Sequence, residues 1–133
     1  MSQTTGSELQ SVALFADLDD HERNIVAEHL TLESYMNGRT IVREGEVGYV
    51  FYVIKEGRAE ISHEGTLLRV LEQGDFFGEI AILGDGKRTT TVTARGDAEV
   101  WAMLGTNLGQ LERDHPDIAS TLRGTVRERL AAG

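Results

Sequence analysis

The sequence predicts a mainly β fold: an antiparallel jelly-roll β-barrel (a double-stranded β-helix) flanked by N-terminal and C-terminal α-helices. Three observations predict it. Short runs rich in β-branched and aromatic residues fill the middle of the chain. Glycine recurs between those runs, at the spacing of turns in all-β folds. Helical patterns replace the strand pattern at both ends.

Residues 1–8 are polar and read as a disordered tail. Val12, Leu14, Phe15 and Leu18 form a mixed apolar patch suited to a short helix or turn. Asp19 or Asp20 is placed to cap a helix running to about Leu30, with Ile25, Val26 and Leu30 on its inner face. After Tyr35 the period changes. Thr40-Ile41-Val42 is a short strand, followed by a turn through Gly45 and Gly48. Tyr49 to Ile54 is a strong strand, and Lys55-Glu56-Gly57 turns the chain into a second, Arg58 to His63. Thr66 to Leu71 follows the Glu64-Gly65 turn, and Glu72 to Asp75 turns again into Phe76-Phe77. Thr89 to Ala94 and Glu99 to Leu104 are the last two strands. Thr106 or Asn107 is placed to cap a further helix carrying Leu108 and Leu111. Pro116 marks the start of another, since proline suits a first helical turn. Its apolar stripe is Ile118, Leu122, Val126 and Leu130.

A chain of 133 residues argues for one domain. We place it over 9–133, with the barrel at about 36–104 and the C-terminal helices at about 106–131. Such a chain buries about two-thirds of the surface its unfolded form exposes. No cysteine is present, which excludes disulfides, a thiol nucleophile and thiolate metal ligands. The sequence has no long apolar run and no signal-peptide pattern, so the expected setting is cytoplasmic, without membrane association. His21, His29, His63 and His115 show no metal-ligand spacing, so no metal is expected. An oxygenase-type jelly-roll enzyme needs clustered His and carboxylate ligands, so no enzymatic activity is expected. The net charge of −9 argues against nucleic acid, because binding there requires a basic stripe that replaces counterions. An anionic ligand would be repelled at long range. Any phosphate site must therefore be local, made of a guanidinium and backbone N–H groups.

One segment has that chemistry: Phe77 to Val92. Gly78 removes a side chain where a ligand meets the backbone. Residues 79 to 83 suit one helical turn, whose free N–H groups face an anion. Gly84 and Gly86 allow a sharp reversal. Arg88 grips phosphate oxygens bidentately, and Glu79 accepts from a sugar hydroxyl. Taken alone, Arg88 reads as a surface arginine paired with Asp85, and Glu79 as a solvated carboxylate. The register of the two with the glycines outweighs those readings.

The segment resembles the phosphate-binding cassette of cyclic-nucleotide-binding domains. That pattern runs Phe-Gly-Glu, an aliphatic, Ala, two aliphatics, a variable turn, Pro, Arg, a small residue, Ala, Thr or Ser, Val. The resemblance extends to Gly45, Gly48, Gly57 and Gly74 to Glu79, and covers about Leu9 to Leu130. It implies that Glu79 binds the ribose 2′-hydroxyl and Arg88 the cyclic phosphate. Phe77, Gly78, Ile80 and Ala81 would line the cassette, and Thr89 and Thr90 would sit beside the phosphate or base. A threonine at Thr89 accompanies guanine in some members and adenine in others; cyclic AMP is the favoured reading over cyclic GMP. The last helix closes over the base in that family, which makes Leu122, Arg123 and Val126 the candidate lid. Binding would pull the C-terminal helices onto the barrel, and this movement would be the signal to an effector domain, a partner protein or a second copy. No cofactor beyond the cyclic nucleotide ligand is implied. The chain would lack the DNA-binding helix-turn-helix of bacterial relatives; whether it stands alone or belongs to a larger protein is open.

Two positions depart from the pattern. Lys87 replaces proline and Thr90 replaces alanine. They motivate the alternative: a degenerate domain of the same fold, acting as a structural or protein-interaction module without nucleotide.

Overall fold

A computed structural model describes residues 4–46, 49–79 and 89–132. The chain divides into two units, one helical (Met1–Thr31 with Met103–Gly133) and one of strands (Leu32–Ala102).

In the strand unit, six described strands share one sheet: β1 (Thr31–Tyr35), β2 (Thr40–Val42), β3 (Val50–His63), β4 (Thr66–Leu71), β5 (Phe76–Phe77) and β6 (Thr91–Leu104). The order is β1-β6-β3-β4, with β2 also on β6 and β5 on β3. β2 runs antiparallel to β6, and both β4 and β5 run antiparallel to β3. β1 is additional to the strands the sequence predicts, the first of which is Thr40-Ile41-Val42.

The two 14-residue strands β3 and β6 replace four shorter expected ones. Gly57 and Gly96 sit inside them at φ +87° and +76°. The glycines therefore kink continuous strands and do not reverse the chain. At Gly57 a Cβ would lie 2.5 Å from the Asp97 carbonyl oxygen, so the close approach of β6 also demands glycine. Phe51, Tyr52, Val53 and Ile54 are consecutively buried, so both faces of β3 are covered there. Tyr52, Ile54, Ala59, Leu71, Phe77, Val92, Val100 and Ala102 belong to one core cluster with Val42. Trp101 is buried, and its Nε1 has no hydrogen-bond partner among the described residues.

In the helical unit, α1 (Gly6–Leu9) takes in residues 6–8 of the expected tail, and residues 1–3 lie outside the described residues. The Gly6 N–H donates to Asn24 Oδ1 at 3.1 Å, the Thr5 N–H donates to Glu8 Oε2 at 2.8 Å, and Leu9 is fully buried. The Thr5–Glu8 pair is a local capping box, whereas the Asn24 contact comes from 18 residues along the chain. A 3-10 turn follows at Ala13–Phe15, with Leu14 and Phe15 buried. α2 (Asp20–Glu28) is capped by Asp19, whose Oδ1 accepts from the Glu22 N–H at 2.8 Å while Glu22 Oε1 accepts from the Asp19 N–H at 3.0 Å.

α3 (Gly105–Asp114) begins directly where β6 ends, with Leu104 at the N-cap position in place of Thr106 or Asn107. α4 (Pro116–Ala132) starts at the expected proline. Ile118, Leu122 and Val126 are buried, whereas Leu130 is 46% exposed, so the apolar stripe ends one turn early. α4 packs on α3 and on the 3-10 turn. No helix among the described residues is long and apolar enough to cross a membrane.

Candidate functional site

The Phe77–Val92 segment is anchored at both ends in one core. Phe77 pairs with Tyr52 across β5 and β3, is 2% exposed, and stacks on the Tyr52 ring at 4.8 Å and 12°. At the other end Val92 is 1% exposed and pairs with Val42. The aromatic pair fixes the point at which the chain leaves the barrel, and Gly78 then takes φ +74°, which only glycine adopts without strain. Glu79 follows, half-buried.

Ile80, Ala81, Lys87 and Arg88, with the expected helical turn over 79 to 83 and the glycines at 84 and 86, lie outside the described residues apart from Glu79 itself. Thr89 is exposed and Thr90 half-buried where the chain enters β6.

That re-entry is hydrogen-bonded to two other loops. The Thr89 carbonyl accepts from His63 Nδ1 at 2.9 Å. Glu44, in the turn after β2, donates its N–H to Thr91 Oγ1 at 3.1 Å, and the Thr91 hydroxyl donates to Glu44 Oε1 at 3.3 Å. Glu44 also accepts the Glu64 N–H at 3.0 and 3.2 Å, and its Oε2 lies 3.0 Å from His63 Nδ1. Sequence reasoning gave Glu44 no role and read His63 only as the end of a strand without metal-ligand spacing. Neither carries a local signal, because their partners lie 47 and 26 residues away along the chain.

Behind the Phe77 stack, Tyr35 donates its hydroxyl to Glu33 Oε1 at 2.7 Å. Burial, then the Glu33 hydrogen bond and charge, then Tyr52, push the Tyr35 phenol well above its usual range.

The candidate lid residues lie on α4. Leu122 and Val126 are buried, and Arg123 Nη2 donates to Glu112 Oε1 on α3. His29 Nδ1 is bonded to the Ile25 carbonyl at 2.8 Å. Among the described residues no cluster of three His or acidic side chains is arranged to hold a metal.

Residues 32–115 match the sequence profile of the family described as cyclic nucleotide-binding domain. The matched span includes all of Phe77 to Val92. The chain belongs to the cyclic nucleotide-binding domain family. Over 99 residues it is 40% identical to a cAMP-dependent protein kinase regulatory subunit from Yarrowia lipolytica, covering 73% of this chain and 26% of that protein. Over 100 residues it is 38% identical to a cGMP-dependent protein kinase from Eimeria tenella, covering 75% of this chain and 10% of that protein. The chain thus spans about a quarter or less of the length of these relatives. Among solved structures, the regulatory domain of Toxoplasma gondii PKA crystallised with cAMP superposes with a TM-score of 0.81 at 27% identity, covering 96% of this chain and 49% of that one. The cyclic nucleotide-binding domain has the antiparallel, jelly-roll type of β architecture with flanking helices that the sequence predicts. It is a domain of the regulatory, ligand-binding type.

Proposed function

We propose that the chain is a sensor domain that binds a cyclic nucleotide in the Phe77–Val92 segment, cyclic AMP in preference to cyclic GMP. The observation that carries this reading is the family match across the segment, at whose entrance Phe77 is stacked in the core and Gly78 takes φ +74°. Glu79 accepts from the ribose 2′-hydroxyl and Arg88 pairs with the cyclic phosphate. Gly78, Ile80 and Ala81 supply backbone N–H groups, and Thr89 and Thr90 border the phosphate and base. Leu122, Arg123 and Val126 on α4 form the lid. Ligand preference for the closed arrangement of the C-terminal helices shifts the population toward it, and an effector domain, partner protein or second copy reads the change. The domain acts in the cytoplasm, without nucleic acid or membrane.

Calorimetric titration with both nucleotides tests this directly. The wild-type chain binds cyclic AMP more tightly than cyclic GMP. Arg88→Ala weakens cyclic AMP by about 100-fold, the cost of removing one partner of a desolvated charge pair. A 2′-deoxy cyclic AMP binds the wild type more weakly, and Glu79→Ala removes that discrimination. Absence of heat and of any thermal shift with both nucleotides would instead favour the degenerate, non-binding domain.

A further inference from the structure

The re-entry of the ligand segment into β6 is held by a side chain that no motif assigns. His63 lies at the end of β3, and its Nδ1 is 2.9 Å from the Thr89 carbonyl oxygen and 3.0 Å from Glu44 Oε2. Both neighbours are acceptors without a proton. Nδ1 therefore carries the hydrogen, which is shared between them. This is the reverse of the tautomer that a free neutral imidazole favours.

Glu44 is itself held. Its oxygens accept from the Glu64 N–H and from the Thr91 hydroxyl, and its own N–H donates to Thr91 Oγ1. Glu64 sits at the β3–β4 hairpin tip with φ +49°, the one non-glycine residue with positive φ among those described, and its N–H meets the Glu44 carboxylate. The carboxylates facing the ring are Glu44 and, 3.9 Å from Nε2, Glu64. Two loops, the turn carrying Glu44 and the hairpin end carrying His63 and Glu64, thus converge on Thr89 and Thr91.

We propose that His63, oriented by Glu44, is a positioning residue for the nucleotide site. It fixes the Thr89 carbonyl at the end of the ligand segment, where Thr89 borders the nucleotide. Affinity rises because Thr89 is held in place before the ligand arrives, so less freedom is lost on binding. The imidazole is 52% exposed, and its contribution is accordingly that of a single net hydrogen bond. The inference rests on the reading of Phe77–Val92 as the cyclic nucleotide site.

Two measurements on the full chain test it. The first needs no nucleotide. A long-range ¹H–¹⁵N spectrum at alkaline pH shows His63 as the Nδ1–H tautomer, assigned by its loss in His63→Asn. A predominant Nε2–H tautomer overturns the brace. The second is titration with cyclic AMP. His63→Ala weakens binding about fivefold, the equivalent of about 1 kcal/mol, with little change in melting temperature. His63→Asn places an amide N–H where Nδ1 was and restores affinity to within about twofold of wild type. Wild-type binding that is unchanged in His63→Ala removes the positioning role and leaves the nucleotide site standing. An Asn variant as weak as the Ala variant also overturns it, because the donor would then be irrelevant. A wild-type chain that binds neither nucleotide refutes the site itself, and the positioning role falls with it whatever the tautomer.

Discussion

Tyr35 shows how one residue behind the candidate site makes stability depend on pH. Its phenol is half-buried, donates to Glu33 and lies next to Tyr52, whose ring stacks on Phe77. These surroundings raise the phenol above its usual value of 10.0, with burial the largest cause. The folded chain therefore keeps a proton that the unfolded chain releases. The associated stability is fully present below about pH 10 and is lost as pH rises beyond it. Urea denaturation from pH 8 to 11 is expected to show a falling midpoint in the wild type and a shallower fall in Tyr35→Phe. Equal slopes would mean that other groups set the alkaline limit. The same residue illustrates what a local reading omits: Tyr35 marks a change of period in the sequence, but its coupling to Phe77 through Tyr52 exists only across strands.

Among the elements, β3 and β6 carry the clearest lesson. Gly57 reads as a turn residue in the sequence, and both it and Gly96 take positive φ. The turn expected at Gly57 is instead a kink inside one continuous strand. Continuation is decided by pairing, since a strand already bonded to its neighbours tolerates one left-handed residue as a kink. The two glycines differ in what surrounds them. A Cβ at Gly57 would meet Asp97 O at 2.5 Å and Ala98 Cα at 3.0 Å, whereas a Cβ at Gly96 would meet nothing within 4 Å. Gly96→Ala is expected to cost about 1–2 kcal/mol from the left-handed backbone alone. Gly57→Ala is expected to cost at least about 2 kcal/mol more, because β6 must also move. Chemical denaturation of the two variants measures the difference, and equal losses would show that the close approach relaxes freely. α1 joins a local and a distant contact: Glu8 accepts the Thr5 N–H within the first turn, and Asn24, 18 residues on, accepts the Gly6 N–H.

For the molecule as a whole, charge constrains the partners. Thirteen basic residues against 22 acidic ones leave −9, so a polyanion gains no counterion-release advantage from this surface. In a gel-shift assay at physiological salt, micromolar chain is expected to leave duplex DNA unshifted. Retained DNA would reveal a local basic stripe and overturn the expectation. A single cyclic phosphate is a different problem, because one guanidinium and a few N–H groups in a small site suffice against the background repulsion. Much of this was legible in the chain alone. Strand content, helical ends, the cassette and its Glu79–Arg88 register are local patterns of side-chain type and glycine, and these encode dihedrals and periodicity directly. The tertiary structure alone decided that Gly57 and Gly96 kink strands, that Phe77 is locked on Tyr52, and that Glu44 and His63 converge on Thr89 and Thr91. Those partners are separated by up to 47 residues of sequence, and only the pairing of β3 with β6 and the packing of their turns bring them within hydrogen-bond reach.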